Sequence, residues 1–307
     1  MNNTQLSEYK ILHEIGRGDF CSTYKGIRYC DNKFVSIKCI DIFEAQKYGL
    51  DIESITKEVN ILKSLNNSEF FVKYYGSFIG DKIDNNIVKN IYFIVTEFIE
   101  GLTLNQFIDK INSTEIIDVY NPPSWHLHNP IKLWNIILQL ILGIKYLHNN
   151  GYAHRDIKLE NIIITDNGII KYIDVGLSCF LKCKIDKCRS DMGDTIQNLY
   201  GNTPFYIPIE IWAKNNDPSY NAKYWDIWAL SLVILMLCNQ TTCLSFHDSK
   251  SDKDIINYIV NNHIDHPNYQ YDYDRTNNFI SKILVSDWKT RPNINEIFNY
   301  YLTELYV

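Results

Sequence analysis

The chain has 307 residues, which allows one large domain or two of ordinary size. Thirty Lys and Arg against thirty-six Asp and Glu leave a net charge of −6, which argues against a surface built to read nucleic-acid phosphates. With 46% hydrophobic and 21% charged residues, a sizeable core is available and disorder is excluded as the dominant state. The opening residues MNNTQLSEYK carry neither a basic start nor an apolar stretch, so the protein is expected to stay where it is made, soluble and intracellular. Its eight cysteines are then expected to be free thiols and not a disulfide framework.

Up to about residue 98 the sequence reads as short β runs: YKILHEIG, CSTYKGIRY, KFVSIKCID, VKYYGSF and NIYFIVTEF. One helix interrupts them, because Ile55, Val59, Leu62 and Leu65 recur at helical spacing between Ile52 and Leu65. From about Leu104 the pattern changes to long helical segments, so a strand-rich first lobe precedes a helical second one. A cleft between two lobes is the usual place for a ligand. The apolar runs Trp134 to Leu147 and Ile227 to Leu237 are shorter than the roughly 20 residues a bilayer requires and read as buried helices. Polar stretches at Gly80 to Asn90 and Asn112 to Asn129 read as surface loops. A last helical stretch spans about Asn293 to Leu302.

Three places carry chemistry. Gly16-Arg17-Gly18-Asp19-Phe20-Cys21 sits between two strand-like runs, where glycines let backbone N–H groups approach phosphate oxygens; a tight hairpin explains the same pattern. Lys38 lies mid-strand and Glu58 on the following helix, and an ion pair between them would aim the ammonium at phosphates. The stretch HRDIKLEN, His154 to Asn161, gathers a carboxylate (Asp156), an ammonium (Lys158) and an amide (Asn161), and Asp174 follows in YIDVGLS. Phosphoryl transfer calls for those groups: a base to orient a hydroxyl, a cation on the moving phosphoryl group and oxygen ligands for Mg²⁺.

In that order the segments GRGDFCSTYKG, VSIK, Glu58, TEF, HRDIKLEN, DVG, NTPFYIPIE, DIWALSL with Asp226, and WKTRP with Arg291 resemble the eukaryotic-type protein kinase family over essentially the whole chain. The resemblance implies an α+β, bilobal protein-kinase-like fold in one domain over 8–307. Its small β-rich N-terminal lobe would span about 8–98 and its larger α-helical C-terminal lobe about 99–307. It implies ATP as phosphoryl donor, Mg²⁺ held by Asn161 and Asp174, and Asp156 as base, with Lys158 and Thr203 completing the catalytic set. The ATP site would comprise Ile15, Gly16, Arg17, Gly18, Asp19, Phe20, Cys21, Ser22, Thr23, Ser36, Lys38, Glu58, Thr96, Glu97, Ile99 and Ile163. Within it Lys38 would hold the α- and β-phosphates and pair with Glu58. Thr96 would be the gatekeeper, and the backbone of Glu97 and Ile99 would read the adenine edge.

Lys158 and Thr203 resemble the serine/threonine branch, which makes proteins with Ser or Thr acceptors the expected partners, with no nucleic acid and no membrane span. By the same resemblance Glu210 and Arg291 form a structural pair. Arg155 would receive a phosphate from the activation segment, with Thr195 as the nearest upstream candidate and Asp191 or Asp194 as fixed alternatives. Glu160 would favour basic residues upstream of the acceptor, weakly, because Met236 and Thr103 stand where stronger Arg-selecting members carry carboxylates.

Several positions depart from the family pattern. Cys21 replaces the third glycine, Thr23 a Val, Ser36 an Ala, Val175 the Phe of Asp-Phe-Gly, Pro208-Ile209-Glu210 an Ala-Pro-Glu, and Ser231 a Gly. Thr23 and Ser36 add hydroxyls to a normally apolar adenine pocket, which keeps a second reading open: a pseudokinase acting as a binding scaffold. Cys179, Cys183 and Cys188 lie close in sequence, but no nearby His offers zinc a fourth ligand, so unrelated thiols are the plainer reading.

Overall fold

Alternation along residues 33–41 buries Val35, Ile37 and Cys39 on one side of a strand and leaves Ser36 and Lys38 half-exposed on the other. That strand, β3 (Lys33–Asp41), is central in a five-stranded antiparallel sheet of order β1-β2-β3-β5-β4. The computed structural model describes residues 6–18, 20–47, 49–84, 87–113, 130–181, 206–212, 220–242 and 273–304. The other strands of the sheet are β1 (Tyr9–Arg17), β2 (Cys21–Arg28), β4 (Tyr74–Asp84) and β5 (Ile87–Glu97). Val35, Ile37, Cys39, Ile91, Phe93 and Val95 form one core cluster, with Tyr9, Ile11, Tyr24 and Phe78 packed against it. Gly26 is required where β2 crosses this cluster, since a Cβ there would lie 2.8 Å from Ile37 Cδ1 and 2.9 Å from the Lys10 carbonyl oxygen.

The five strand runs expected from the sequence are present, but the polar stretch Gly80 to Asn90 is not the expected surface loop. β4 and β5 stay paired through it, with Asp81 opposite Asn90 and Asp84 opposite Ile87. A polar sequence satisfies a ladder as well as a loop where the strands need no buried face, because the hydrogen bonds belong to the backbone. Of the second expected loop, residues 114–129 lie outside the described residues.

Two helices follow β3. The short α1 (Ile42–Lys47), which the sequence reading missed, is capped by Asp41, whose Oδ1 accepts the N–H groups of Phe43 and Glu44. Helix α2 (Ile52–Ser64) is the expected one, capped by Asp51 through Ser54 N at 2.8 Å. Its buried face is Ile55, Glu58, Val59, Ile61 and Leu62, so helical spacing carries Glu58 inward with the apolar side chains.

The chain divides into two compact units, the first running to Ile99 and the second from Glu100. In the second, α3 (Leu104–Ser113) buries Leu104, Phe107, Ile108 and Ile111. Helices α4 (Pro130–Asn149), α5 (Ile209–Trp212), α6 (Lys223–Asn239), α7 (Tyr273–Ile283) and α8 (Ile294–Glu304) complete its described helices. Every residue of α6 from Trp225 to Cys238 is buried, as expected of a helix apolar on all sides. Ser231 fits there because its hydroxyl lies 2.7 Å from the Ile227 carbonyl and 3.1 Å from that of Ile283, linking α6 to the end of α7. Tyr301 donates to the Trp134 carbonyl and ties α8 to α4.

Short strands frame the loops between α4 and residue 181: β6 (Leu102–Thr103), β8 (Ile162–Ile164) and β9 (Ile170–Tyr172) form one sheet, β7 (Tyr152–Ala153) and β10 (Cys179–Phe180) another. A Cβ at Gly101 would lie 2.3 Å from the Ile164 carbonyl oxygen, so only glycine lets the chain enter β6 beside β8. The mixed α+β architecture is the one expected. Among the described residues no helix is long and apolar enough to cross a membrane.

Candidate active site

In the first unit, the pleat of β3 and the buried face of α2 bring two charges together. Lys38 Nζ lies 2.8 Å from Glu58 Oε1, with the side chains 20% and 9% exposed. An ion pair of this kind fixes the direction of the lysine ammonium, a property needed to hold an anionic ligand. Opposite Lys38 across the β2 ladder stands Thr23, and opposite Ser36 across the β5 ladder stands Thr96. The glycine-containing turn joins β1 to β2: Gly16 pairs with Thr23, Arg17 with Ser22, and Gly18 N–H donates to the Cys21 carbonyl at 2.8 Å. Ile15 is 44% exposed on β1, and Arg17 is paired with Glu14 at 2.7 Å, while Asp19 lies outside the described residues. The Phe20 carbonyl accepts from Asp41 N–H. Glu97 donates its N–H to the Lys73 carbonyl at 2.8 Å, so any base reading by Glu97 falls to its carbonyl. Ile99 is half-buried just beyond β5.

The second unit holds the remaining candidates in a loop between β7 and β8, whose backbone is clamped from below. Asp226, fully buried in the first turn of α6, accepts the N–H groups of His154 and Arg155, each at 2.7 Å, and lies 2.8 Å from His148 Nε2. A buried carboxylate must be saturated with donors, and here the saturation fixes the loop. Arg155 takes a positive φ of 65° at this point, and its Nε donates to the Leu177 carbonyl at 2.7 Å.

Above the clamp, Asp156 is held at both carboxylate oxygens: Lys158 Nζ is 3.0 Å from Oδ1, and Asn161 Nδ2 donates to Oδ2 at 2.7 Å and to the Asp156 backbone carbonyl at 2.9 Å. Burial pulls the Lys158 ammonium toward deprotonation, but the charge and hydrogen bond of Asp156 outweigh it and hold its pKa above the usual lysine value. Burial pushes His154 the other way, below 6.5, against the pull of Asp226, Asp156 and Asp174, so its imidazole is neutral at pH 7. Asp174 follows β9 and receives the Gly176 N–H at 2.8 Å, while the Asn161 carbonyl accepts from Ile173 N–H, tying the two candidate metal ligands to adjacent backbone. Ile163 sits half-buried on β8, paired with Thr103 and Lys171. Thr203 lies outside the described residues, as do Asp191, Asp194, Thr195, Cys183 and Cys188.

Asp226 is the functional residue that motif reading did not assign chemistry to, and a signal existed: a lone carboxylate in an otherwise apolar helix has to be paired. Tyr206 is a second, its hydroxyl accepting from Leu159 N–H at 3.4 Å and lying 3.5 Å from Met236 Sδ, beneath the loop. Cys179 is buried and paired with Ala153 in the β7–β10 ribbon. Glu210 and Arg291 form the expected pair, bidentate at 2.8 and 3.2 Å. A cavity of about 710 Å³ in the second unit, lined by Phe107, Ile136, Gln139 and Ile164 among others, includes none of the catalytic-loop residues.

Residues 9–302 match the family described as protein kinase domain. The chain is 30% identical over 239 residues to serine/threonine-protein kinase pakH of Dictyostelium discoideum, a match covering 78% of this chain and 39% of that protein. It is 28% identical to serine/threonine-protein kinase dst2 of the same organism, over 77% of this chain and 18% of the relative. With human Myosin-IIIa it shares 24% identity over 97% of this chain and 17% of the relative. This chain belongs to the protein kinase family, and it spans about two fifths or less of the length of these relatives.

Proposed function

We propose that the chain is an ATP-dependent protein kinase that transfers the γ-phosphoryl group to Ser and Thr hydroxyls. The observation that carries this reading is the carboxylate of Asp156 held between Lys158 and Asn161, on a loop whose backbone is fixed by Asp226. A carboxylate so oriented accepts the proton of an incoming hydroxyl, and the adjacent ammonium stabilises negative charge on the moving phosphoryl group. Lys38, steadied by Glu58, holds the α- and β-phosphates. Support for Ser and Thr as acceptors comes from Lys158 and from the serine/threonine kinases among the relatives, at about 30% identity or less.

The family implies Mg²⁺, and the donor chemistry fits it. The Asn161 amide nitrogen is engaged with Asp156, which leaves its amide oxygen as the group of hard-ligand chemistry, and the Asp174 carboxylate would supply the second. Bound there, the ion would neutralise charge on the β- and γ-phosphate oxygens. The hydroxyls of Thr23 and Ser36 on the Lys38 side of the sheet favour the second reading, a scaffold that binds nucleotide weakly.

Purified protein incubated with γ-labelled ATP and generic acceptor proteins, beside Asp174→Asn, tests the proposal. Transfer that the variant loses, with phosphoserine and phosphothreonine as products, supports it. No transfer supports the scaffold, and phosphotyrosine as the main product overturns the Ser/Thr assignment.

A further inference from the structure

Past Glu97, the last residue of β5 in register with β3, the chain runs through Phe98 and Ile99. Glu97 is tied on one side, its N–H donating to the Lys73 carbonyl at 2.8 Å and its Oε2 accepting from Lys73 N–H at 3.3 Å. Phe98 is held on the other side by its ring. The Lys25 ammonium lies 4.1 Å from the Phe34 ring centroid and 4.2 Å from that of Phe98, and the two rings meet edge to face with centroids 6.3 Å apart. Lys25 belongs to β2 and Phe34 to β3, so a cation on one strand and a ring on the next grip the first residue beyond β5. Among the described residues no carboxylate pairs with Lys25, and its charge faces the two rings.

The pleat puts this cluster on the face that carries Lys38. Val35, Ile37 and Cys39 turn into the core cluster, so Phe34, Ser36 and Lys38 share the opposite face, and Lys25, in register with Ser36, joins them. Four steps of about 3.3 Å set Phe34 about 13 Å along β3 from Lys38, on the order of a nucleotide's length. On the kinase reading Lys38 takes the phosphates, and the Glu97 carbonyl with the Ile99 backbone takes the base edge. Phe98 then stands between the two residues that read the base.

We propose that Lys25 is a positioning residue for the nucleotide base: with Phe34 it holds the Phe98 ring, and through that ring the backbone from Glu97 to Ile99, in the arrangement that receives the base. The inference rests on the kinase reading above and deepens it. A backbone already held when the ligand arrives loses little freedom on binding, so holding it raises affinity. The base lies at the end of the nucleotide away from the reacting phosphoryl group, so this contribution is the same in the ground state and the transition state. It lowers KM and leaves kcat unchanged. The charge matters as well as the bulk, because an apolar side chain of equal length packs on the rings without the attraction of an ammonium to the π-system.

The test compares the unmodified full chain with Lys25→Met, which keeps the length and removes the charge, and with Lys25→Arg, which keeps the charge. KM for ATP and kcat are measured with labelled ATP and a generic acceptor protein, the Kd of Mg-ATP by calorimetry, and folding by thermal melting. Lys25→Met is expected to raise KM and Kd about three- to tenfold with kcat within about twofold, the range that losing two cation–π contacts gives. Lys25→Arg is expected to restore both constants to within about twofold. Unchanged constants in Lys25→Met overturn the inference and leave the kinase reading standing. So does a larger fall in kcat, or Lys25→Arg as impaired as Lys25→Met, because either marks a general loosening of the sheet. Mg-ATP bound without transfer overturns the kinase reading alone, and the calorimetric comparison then decides the role of Lys25. A chain that binds no Mg-ATP overturns both.

Discussion

Two ion pairs, one in each unit, use the same chemistry toward opposite ends. Arg291 is fully buried, and all five of its N–H donors have acceptors: Glu210 Oε1 and the Tyr224 carbonyl at Nη1, Glu210 Oε2 and the Ser286 carbonyl at Nη2, and the Val285 carbonyl at Nε. Such a pair fixes the start of α5 against the turn before α8 and has nothing to offer a ligand. Lys38 and Glu58 meet at 2.8 Å with a fifth of the lysine side chain exposed. The lesson is that exposure separates a pair closed within the fold from one that a ligand can reach.

The sharpest way to break this comparison is to remove the lysine of the open pair and, in the second unit, the carboxylate proposed as base. Lys38→Met and Asp156→Asn should each lower phosphoryl transfer roughly 10²- to 10⁴-fold. Thermal melting should show both variants folded, because both side chains are about a fifth exposed and each substitution keeps the approximate size. Unchanged turnover in either, measured with labelled ATP, would remove that residue from the mechanism.

The closed pair should respond in the opposite sense. Glu210→Ala leaves the Arg291 charge buried and uncompensated, which costs about 3–5 kcal/mol of stability. Urea denaturation reads that loss directly. A loss below about 1 kcal/mol would mean that the carbonyls alone satisfy the guanidinium, and the contrast between the two pairs would collapse.

How far the sequence foretold this contrast depended on distance along the chain. Lys38, Glu58 and the group Asp156, Lys158, Asn161 were legible because strand pleat, helical spacing and one compact loop place them by local rules. The helix α2 was readable for the same reason, its apolar positions also setting the direction of Glu58. The Asp226 clamp was not, since a carboxylate 72 residues from the backbone it holds carries no local signal of its partner. The short helix α1 was missed because six residues give too little periodicity, and its cap, Asp41, reads as the last residue of a strand. The paired ends of β4 and β5 were hidden by polar residues whose ladder depends on backbone alone.

A milder probe uses Cys21, half-buried at the start of β2 beside the glycine turn. If Lys38 and the turn hold the phosphates of a nucleotide, Mg-ATP should slow alkylation of Cys21 several-fold while Cys30, exposed at the far end of the β2–β3 hairpin, reacts at its former rate. Mass spectrometry after limited iodoacetamide distinguishes the two thiols. Equal protection of both would point to a general tightening of the sheet and away from a nucleotide at the turn.

The smallest expected effect concerns a charge that the fold keeps out. His154 is wholly buried beside Tyr172, with ring centroids 5.6 Å apart, and burial holds its pKa below the 6.5 it has when exposed, in spite of three nearby carboxylates. The unfolded chain therefore takes up a proton near pH 6.5 that the folded chain refuses. Stability from this residue is present in full above pH 6.5 and falls as the pH drops below it, because the unfolded state then binds more protons. Melting temperatures between pH 7.5 and 5.5 should decline for the unmodified chain and decline less for His154→Gln, which cannot titrate there. Parallel curves would mean that His154 is protonated within the fold, and Asp226 would then be pairing a cation from the catalytic loop where it now holds only its backbone.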